Sequence, residues 1–353
     1  MSEMRAILAE TASRLFAEHC GREAVERARD TWPEALWRAI EQAGLASASV
    51  AEAKGGAGAD LGDVMTILRA AGRHAAPVPL AETLLAAWML SESGMTVPEG
   101  PLAVAPMPDE DVSLARAGES WRVAGTARRI PWARRCRAIV ALARDGRGWR
   151  IALVPAGQAV IGEGRNLAGE PRDDVHFADT VLAPERVASA GMGVHAETLL
   201  RFGALARAAQ MAGALEAVLE LTVRYANERV QFGRPIAKFQ AIQQQVAVLA
   251  ANVAAAGAAC DAAIAAAETG WAEFPIAAAK ARINEAASVA AAIAHQVHGA
   301  MGFTSEHALH LFTTRLWSWR EEFGDESFWW ARLGAVAAAA GGDGLWPMLT
   351  GGR

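Results

Sequence analysis

The chain reads YANERVQFGRPI from position 225 to position 236 and continues to FQ at positions 239–240. Here a helical pattern ends in a glycine turn, with a guanidinium, an aromatic ring and an amide close together. Arg229 offers a planar fork of donors suited to a diphosphate, and Phe232 can cover a flat ring. Gly233 and Pro235 fix the turn. Taken alone, the segment also fits a plain helix C-terminus, because arginine favours the helix dipole there, glycine caps the helix and proline stops it.

On both sides of this segment the sequence predicts long helices. Apolar residues recur at helical spacing over Thr198 to Glu228, Ala241 to Glu268 and Ala277 to Val297. Their alanine faces allow helices to approach closely, as in an antiparallel bundle. Low-complexity linkers are the alternative, but the interleaved Leu, Val, Ile and Met favour packed helices. We therefore predict a C-terminal four-helix bundle domain over residues 191–353.

Upstream, the pattern changes twice. Residues 1–100 carry apolar residues at helical steps over Met4 to Glu18, Pro33 to Ala43, Asp60 to Ala71 and Ala81 to Met89. Residues 101–190 hold short apolar segments instead, with the turn dipeptide Asp145-Gly146 between two of them. The predicted fold class is therefore α+β. An N-terminal helical domain (1–100) is followed by a small middle antiparallel β domain (101–190) and then by the bundle.

Composition narrows the classes of function. A net charge of -5 over 353 residues argues against a nucleic-acid surface. The three cysteines are an odd and sparse set, which fits a reducing cytoplasm better than a disulfide scaffold, and their lack of metal-ligand spacing predicts no metal site. The N-terminus lacks the apolar region of a secretory signal. The longest apolar stretches, such as Ala247 to Ala259 with Asn252 inside it, are predicted to be too short and too weakly hydrophobic to span a bilayer.

Together these segments resemble the acyl-CoA dehydrogenase superfamily. Residues 225–240 look like its R-x-Q-F-G-x-P-I…F-Q signature, and residues 296–306, QVHGAMGFTSE, resemble its Q-x-x-G-G-x-G-F-x-x-E turn. Residues 37–58 and 72–80 look like its N-terminal helical domain, and residues 166–179 resemble the end of its β domain. The match covers nearly the whole chain in the same order and agrees with the α–β–α pattern.

The resemblance implies that FAD is held between the β domain and the bundle, with a neighbouring subunit completing the site. By position, Arg229 would reach the FAD pyrophosphate across a subunit interface, and Phe232 would contact the same cofactor. Gln296 and Gly299 would line its path. Trp132 matches the tryptophan that flanks the isoalloxazine, although a core tryptophan is the alternative in a chain that contains 12 of them.

The catalytic base of the family is missing from both of its usual positions. A glutamate normally precedes the glycine that matches Gly324, but this chain has Phe323 there. The other position, near the start of the long helix, corresponds to Gly203. Residues 103–108, AVAPMP, replace the segment that usually covers the flavin, and Arg134 replaces an expected hydroxyl residue.

A substitute base is sought in the acidic stretch 320–326, REEFGDE. Glu322 lies one residue before the usual position, and neighbouring carboxylates are expected to raise its pKa, which suits a general base. The alternative is a solvated acidic helix end paired with Arg320. The aromatic residues Phe323 and 328–330 favour that alternative, because they indicate a packed or subunit-facing region.

The resemblance implies α,β-desaturation of an acyl-CoA thioester, with electrons passing to an electron-transfer flavoprotein. In lacking the base, the chain resembles one subunit of the heteromeric bacterial acyl-CoA dehydrogenases. In those enzymes one subunit carries the glutamate and the other completes the FAD site. Three functions stay open: a self-sufficient dehydrogenase in a homo- or hetero-oligomer, a non-catalytic structural subunit, and a bundle that has lost flavin. His298, in the flavin-proximal turn, is expected to be structural.

Overall fold

The computed structural model describes residues 3–105, 112–270 and 273–350 of the chain. In its N-terminal part, up to residue 92, the regular elements are helices joined by turns. Its helices are α1 (Glu3–His19), α2 (Arg22–Arg27), α3 (Glu34–Gln42), α4 (Leu61–Arg73) and α5 (Leu80–Glu92). The apolar spacing predicts all of them except α2, which has only 6 residues and therefore too few for a periodic pattern. Asp60 caps α4 by accepting a hydrogen bond from the backbone N–H of Asp63 at 2.8 Å.

The middle part is one sheet. Its strands are β1 (Leu102–Ala105), β2 (Val112–Ala117), β3 (Ser120–Pro131), β4 (Ala138–Arg144), β5 (Trp149–Pro155), β6 (Val160–Gly162), β7 (Arg172–Leu182) and β8 (Val187–Ser189). They lie in the order β6-β7-β3-β2-β4-β5-β8, with β1 beside β4. The predicted hairpin joins β4 and β5, where the Asp145 carboxylate accepts from the backbone N–H of Arg147 at 2.8 Å. Pairing is antiparallel except that β1 and β2 both run parallel to β4.

The C-terminal part forms the predicted bundle. Its helices are α6 (Ala196–Glu228), α7 (Gln240–Thr269), α8 (Glu273–His298), α9 (Leu309–Trp319) and α10 (Glu326–Thr350). A small hairpin of β9 (Val230–Gln231) and β10 (Arg234–Pro235) joins α6 to α7. The α+β fold class is therefore confirmed, with α10 packed on α8 as an additional helix.

Helix α6 is the central element, and glycine brings α4 against it. A Cβ built on Gly213 would lie 1.9 Å from the backbone oxygen of Arg69, and one on Gly72 would lie 1.9 Å from that of Gln210. Because any larger side chain would push the helices apart, these two glycines set the approach of the N-terminal helices to the bundle.

Helix α7 contains the alanine stretch that the sequence predicts to be too short for a bilayer. The whole helix has 30 residues, and within the described parts of the chain it alone is long and apolar enough to cross a membrane, judged by length and composition. Only 28% of its most apolar stretch is buried within the chain. An apolar helix with this exposure also fits a surface that packs against another subunit.

Candidate functional site

A cavity of about 840 Å³ lies between the sheet and the C-terminal helices, where the resemblance expects the flavin. Its walls come from α5, α6, the end of β3, the segment before β7 and the turn between α9 and α10. Apolar and charged side chains share the lining, among them Leu85, Leu199, Ala206, Glu82, Arg172, Arg207 and Glu322. Of segment 103–108, only residues 103–105 are described, as part of β1; the remainder lies outside the described residues.

Alternating charges form part of the cavity wall and continue into the core behind it. The order of contact is Glu82, Arg207, Glu322, Arg172, Glu170 and Arg315. Arg172 Nη2 lies 3.1 Å from Glu170 Oε2, and Arg315 Nε lies 3.0 Å from Glu170 Oε1. Three carboxylates meet three guanidinium groups, so this wall is polar without carrying a net charge.

Glu322 is held between two arginines. Its Oε1 accepts from Arg172 Nε and its Oε2 from Arg207 Nε, each at 2.7 Å. Burial raises the pKa of this carboxyl group, but Arg172 and Arg207 outweigh burial, and the pKa lies below its ordinary value. The expected rise in pKa is therefore wrong, because the nearest charges are cations. The alternative, an acidic helix end paired with Arg320, describes Glu321 and Glu326, which both pair with Arg320. It does not describe Glu322, whose side chain is only 18% exposed.

Sequence reasoning missed Glu82, Arg172 and Arg207 as part of this site. Arg207 lies four residues after Gly203 on the same face of α6, which is the one signal that would have indicated it. Glu82 and Arg172 come from α5 and β7, and no local pattern connects them to α6.

Acid should weaken this network measurably. Burial raises the pKa of Glu170, but Arg315 and Arg172 outweigh it and lower the pKa from 4.5 to about 2. A depressed pKa stabilises the fold above the unfolded value and loses that contribution as pH falls toward the folded value. We expect the free energy of unfolding to fall by on the order of 3 kcal/mol between pH 5 and pH 2 through this group. Urea denaturation at stepped pH measures it, and Glu170→Gln should lack this part of the acid dependence.

The space for a base at Gly203 is already filled. A Cβ built there would lie 2.1 Å from Cδ1 of Phe323, so the phenyl ring occupies the volume that a larger residue would need. Phe323 has a positive φ of 55°, a conformation that costs free energy for a residue with a Cβ. Trp329 Nε1 donates to the Phe323 carbonyl at 3.0 Å, and Lys280 Nζ donates to the Gly324 carbonyl at 3.1 Å, which together hold the turn.

This complementarity predicts a cost for Gly203→Ala. The new methyl group overlaps the Phe323 ring, and overpacking of a tight core costs about 1–3 kcal/mol of unfolding free energy. The matched control is Gly334→Ala in α10, where a Cβ meets nothing within 4 Å and a neutral or slightly stabilising effect is expected. Both are measured by urea denaturation. If Gly203→Ala costs as much in a Phe323→Ala background as alone, the ring is not what fills the site.

Trp132 packs in the core of the sheet. It is 4% exposed, its ring meets Trp32 edge-on at 6.3 Å between centroids, and its neighbours Ile130 and Pro131 line the cavity instead. Arg134 is held below them, where its Nε lies 3.3 Å from the buried Asp173 and its Nη2 donates to the Gly164 carbonyl at 2.6 Å. The flavin-flanking role of Trp132 stays a prediction. Its side chain lies in the core, as expected for the alternative of a core tryptophan.

The other predicted cofactor residues meet at one end of the bundle. Arg229 follows the last turn of α6, whereas Gln296 lies in the last turn of α8 and Gly299 just after it; all three are exposed. Phe232 is 92% exposed and has a positive φ of 52° at the first position of the β9–β10 turn. Within the described chain, no ion pair or side-chain hydrogen bond engages Arg229. The structure thus separates this surface, which we term the bundle end (Arg229, Phe232, Gln296 and Gly299), from the cavity.

The bundle end has the features of a surface for a dinucleotide. The phenyl ring of Phe232 is exposed in a strained turn, and the exposed Arg229 guanidinium has no partner in the described chain, so both groups are available to a ligand or to another chain. A Cβ at Gly299 would meet nothing within 4 Å, so the backbone there is open to approach. These residues fit FAD. The cavity of the same chain fits its flavin ring less well, because charged side chains line it and Trp132 lies in the core.

Aromatic rings lie directly beneath the bundle end. The Tyr225 and His298 rings are stacked with centroids 4.4 Å apart, and His307 packs against His298 at 4.5 Å. His298 is 2% exposed, and its Nδ1 lies 2.7 Å from the backbone oxygen of Ala294. Across the described residues, no group of three or more His, Cys, Asp or Glu side chains is placed to hold a metal ion.

Comparisons with known proteins agree with this architecture. Residues 2–96 match the family model of the acyl-CoA dehydrogenase N-terminal domain, and residues 189–324 match that of its C-terminal domain. Acyl-CoA dehydrogenase IpdE2 of Mycobacterium tuberculosis is 33% identical over 321 residues, covering 89% of this chain and 91% of the relative.

Two solved structures have the same fold. The ChsE4-ChsE5 complex from Mycobacterium tuberculosis contains a chain with a TM-score of 0.86 and 23% identity, with coverage of 96% of this chain and 98% of that one. A variant of the Tcur3481-Tcur3483 steroid ACAD gives a TM-score of 0.85 and 26% identity at the same coverage, 96% and 98%.

Proposed function

The chain belongs to the acyl-CoA dehydrogenase family of oxidoreductases, and we propose that it is one subunit of a heteromeric, FAD-dependent enzyme. In this proposal the chain completes an FAD site shared with a partner subunit, and the partner supplies the catalytic base. The reaction is α,β-desaturation of an acyl-CoA thioester in the cytoplasm, with electrons passing to an electron-transfer flavoprotein.

The proposal rests on the two positions, 323 and 203, at which the family's catalytic glutamate is expected and this chain has none. Proton abstraction next to a thioester needs a carboxylate that is free to approach the substrate and has a pKa suited to accepting a proton. Phe323 stands at one base position and its ring fills the space at the other, Gly203. Glu322, the nearest carboxylate, has both oxygens engaged by arginines and a lowered pKa, so it is a poor proton acceptor.

In the proposal, residues of the bundle end grip the cofactor. Arg229 donates to the diphosphate, Phe232 covers the dinucleotide, and Gln296 and Gly299 line the surface between them. The guanidinium is needed because α6 and α8 both end here, and helix C-termini carry negative partial charge that repels an anion. When bound, FAD supplies the acceptor for the hydride that leaves the β-carbon of the acyl group.

The relatives support a heteromer and a bulky substrate. One similar structure is a complex of two proteins, ChsE4 and ChsE5, and the other is a steroid ACAD named for a pair of proteins, Tcur3481 and Tcur3483. We propose by analogy an acyl group of steroid-like size for the assembled enzyme. The exposed apolar face of α7 gives this chain a surface on which another subunit can pack.

A self-sufficient enzyme is the second candidate, because Glu322 does line the cavity. To act as a base, it would have to release Arg172 or Arg207 when the substrate binds. That step would break a buried ion pair and leave the released guanidinium with Glu170 or Glu82 alone, which is unfavourable.

Co-expression with candidate partner subunits tests the proposal. We expect the chain alone to show no acyl-CoA-dependent bleaching of flavin absorbance, and the complex to show it with a defined ratio of flavin to subunits. Bleaching by the chain purified alone would favour the self-sufficient enzyme. A colourless complex would indicate that the bundle has lost flavin.

A further inference from the structure

The two arms of the bundle end come from helices that are far apart in the sequence. One arm is the Arg229 turn after α6, and the other is the Gly299 turn after α8. Tyr225 lies in the last turn of α6, and its carbonyl accepts the final helical hydrogen bond from the Arg229 N–H at 2.9 Å. His298 is the last residue of α8 and precedes Gly299, whose φ is +58°. Each ring is therefore attached to the backbone of one arm.

The contact between these rings joins the arms. The Tyr225 and His298 ring centroids lie 4.4 Å apart with 26° between the ring planes, so the two rings are stacked. His307 lies beside both rings, with its centroid 4.5 Å from His298 and 5.9 Å from Tyr225, which it meets edge-on. Tyr225 is the only tyrosine in the chain. Any relative movement of the two helix ends must break this stack.

His298 is suited to a neutral, fixed ring. Its Nδ1 lies 2.7 Å from the Ala294 oxygen, so that nitrogen carries the proton and donates. Its Nε2 is buried and has no hydrogen-bond partner among the described residues. Burial lowers the pKa of His298 to about 4, so the ring is uncharged at neutral pH. An uncharged ring can stack on Tyr225 without placing a buried cation beneath the surface.

We propose that Tyr225 and His298 are positioning residues for the cofactor, whose stacked rings hold the Arg229 turn and the Gly299 turn together as one dinucleotide surface. This inference rests on the proposed function. Neither ring touches the cofactor in this arrangement; both act through the turns to which they are attached. The ring of His298, rather than its hydrogen bond, is the essential feature.

FAD titration of the complex purified with its partner tests this role, with flavin fluorescence as the readout. Loss of an aromatic stack changes an equilibrium constant by about twofold to tenfold. We expect His298→Ala and Tyr225→Leu each to raise the Kd for FAD by that factor. His298→Phe should bind like the native chain, because it keeps the ring. The double variant should be no weaker than either single variant, since both remove the same contact.

Val218→Ala is the control for lost stability, because Val218 is a buried residue of α6 two turns before Tyr225. It should lower the Tm without changing the Kd. Arg229→Ala separates the positioning role of the stacked rings from the proposed function. If Arg229→Ala weakens FAD binding but His298→Ala does not, the positioning role is wrong and the proposed function stands. If His298→Phe binds as weakly as His298→Ala, stacking is not the cause. If even Arg229→Ala leaves the Kd unchanged, the proposed function itself fails.

Discussion

Glu322→Ala is expected to lower the free energy of unfolding by about 3–5 kcal/mol, because it removes the shared partner of two buried cations. Arg172 and Arg207 would then face each other across the vacated site, with Glu170 and Glu82 as their remaining partners. Urea denaturation at neutral pH measures the loss. A loss of this size would show that Glu322 stabilises the cavity wall.

Glu321→Ala is the matched control, since it removes the adjacent carboxylate from a side chain that is 55% exposed and pairs with Arg320. Exposed ion pairs contribute about 0–1 kcal/mol, so little change is expected. Equal stability of the Glu322 and Glu321 variants would contradict the network. Glu322→Gln should fall between them, because an amide oxygen can still accept from one arginine.

Arg229→Ala is expected to weaken FAD binding by about tenfold to a hundredfold, the effect of losing a charge-assisted hydrogen bond to a phosphate. The fold should keep its stability, because Arg229 is exposed and makes no ion pair within the described residues. Arg38→Ala, on α3, is the control for the change in charge: Arg38 is 65% exposed and pairs with Glu34, which is 65% exposed as well. Titration of the complex with FAD measures both, and equal affinity of the two variants would contradict the role of Arg229.

A substitution at Phe232 provides a second test of the bundle end, because it should change FAD affinity and the stability of the turn in opposite directions. The β9–β10 turn has φ values of 52° at Phe232 and 78° at Gly233, as in a type I′ turn, which favours Asn-Gly. Phe232→Asn should therefore stabilise the turn slightly while it weakens FAD binding. A variant that loses stability instead would show that the ring packs within its own chain.

Helices α1 and α3 to α8 were predictable from the sequence because their causes are local, whereas α2, α9 and α10 were not predicted individually. Apolar spacing marks α3 and α4, and alanine-rich faces mark α6, α7 and α8. The parallel pairing of β1 with β4 was not predictable, since it depends on which strand comes to lie beside Leu102–Ala105. The antiparallel hairpin of β4 and β5 was, because a turn dipeptide directs it.

The candidate site was also predictable only in part. The sequence alone shows that no glutamate stands at position 203 or 323. Only the fold shows that the ring of Phe323 fills the space beside Gly203. The pKa of Glu322 was predicted in the wrong direction because only the neighbouring acidic residues were visible. The arginines that determine it lie 150 and 115 positions away in the sequence. Charges at such separations meet only through tertiary structure.

The most direct test is acyl-CoA-dependent flavin bleaching by the complex of this chain with its partner, measured with Glu322→Gln at a temperature where the variant is folded and holds its full flavin. We predict bleaching at the native rate, because the proton leaves to a base on the other subunit. Loss of bleaching in that folded, flavin-loaded complex would contradict the account and make Glu322 the base.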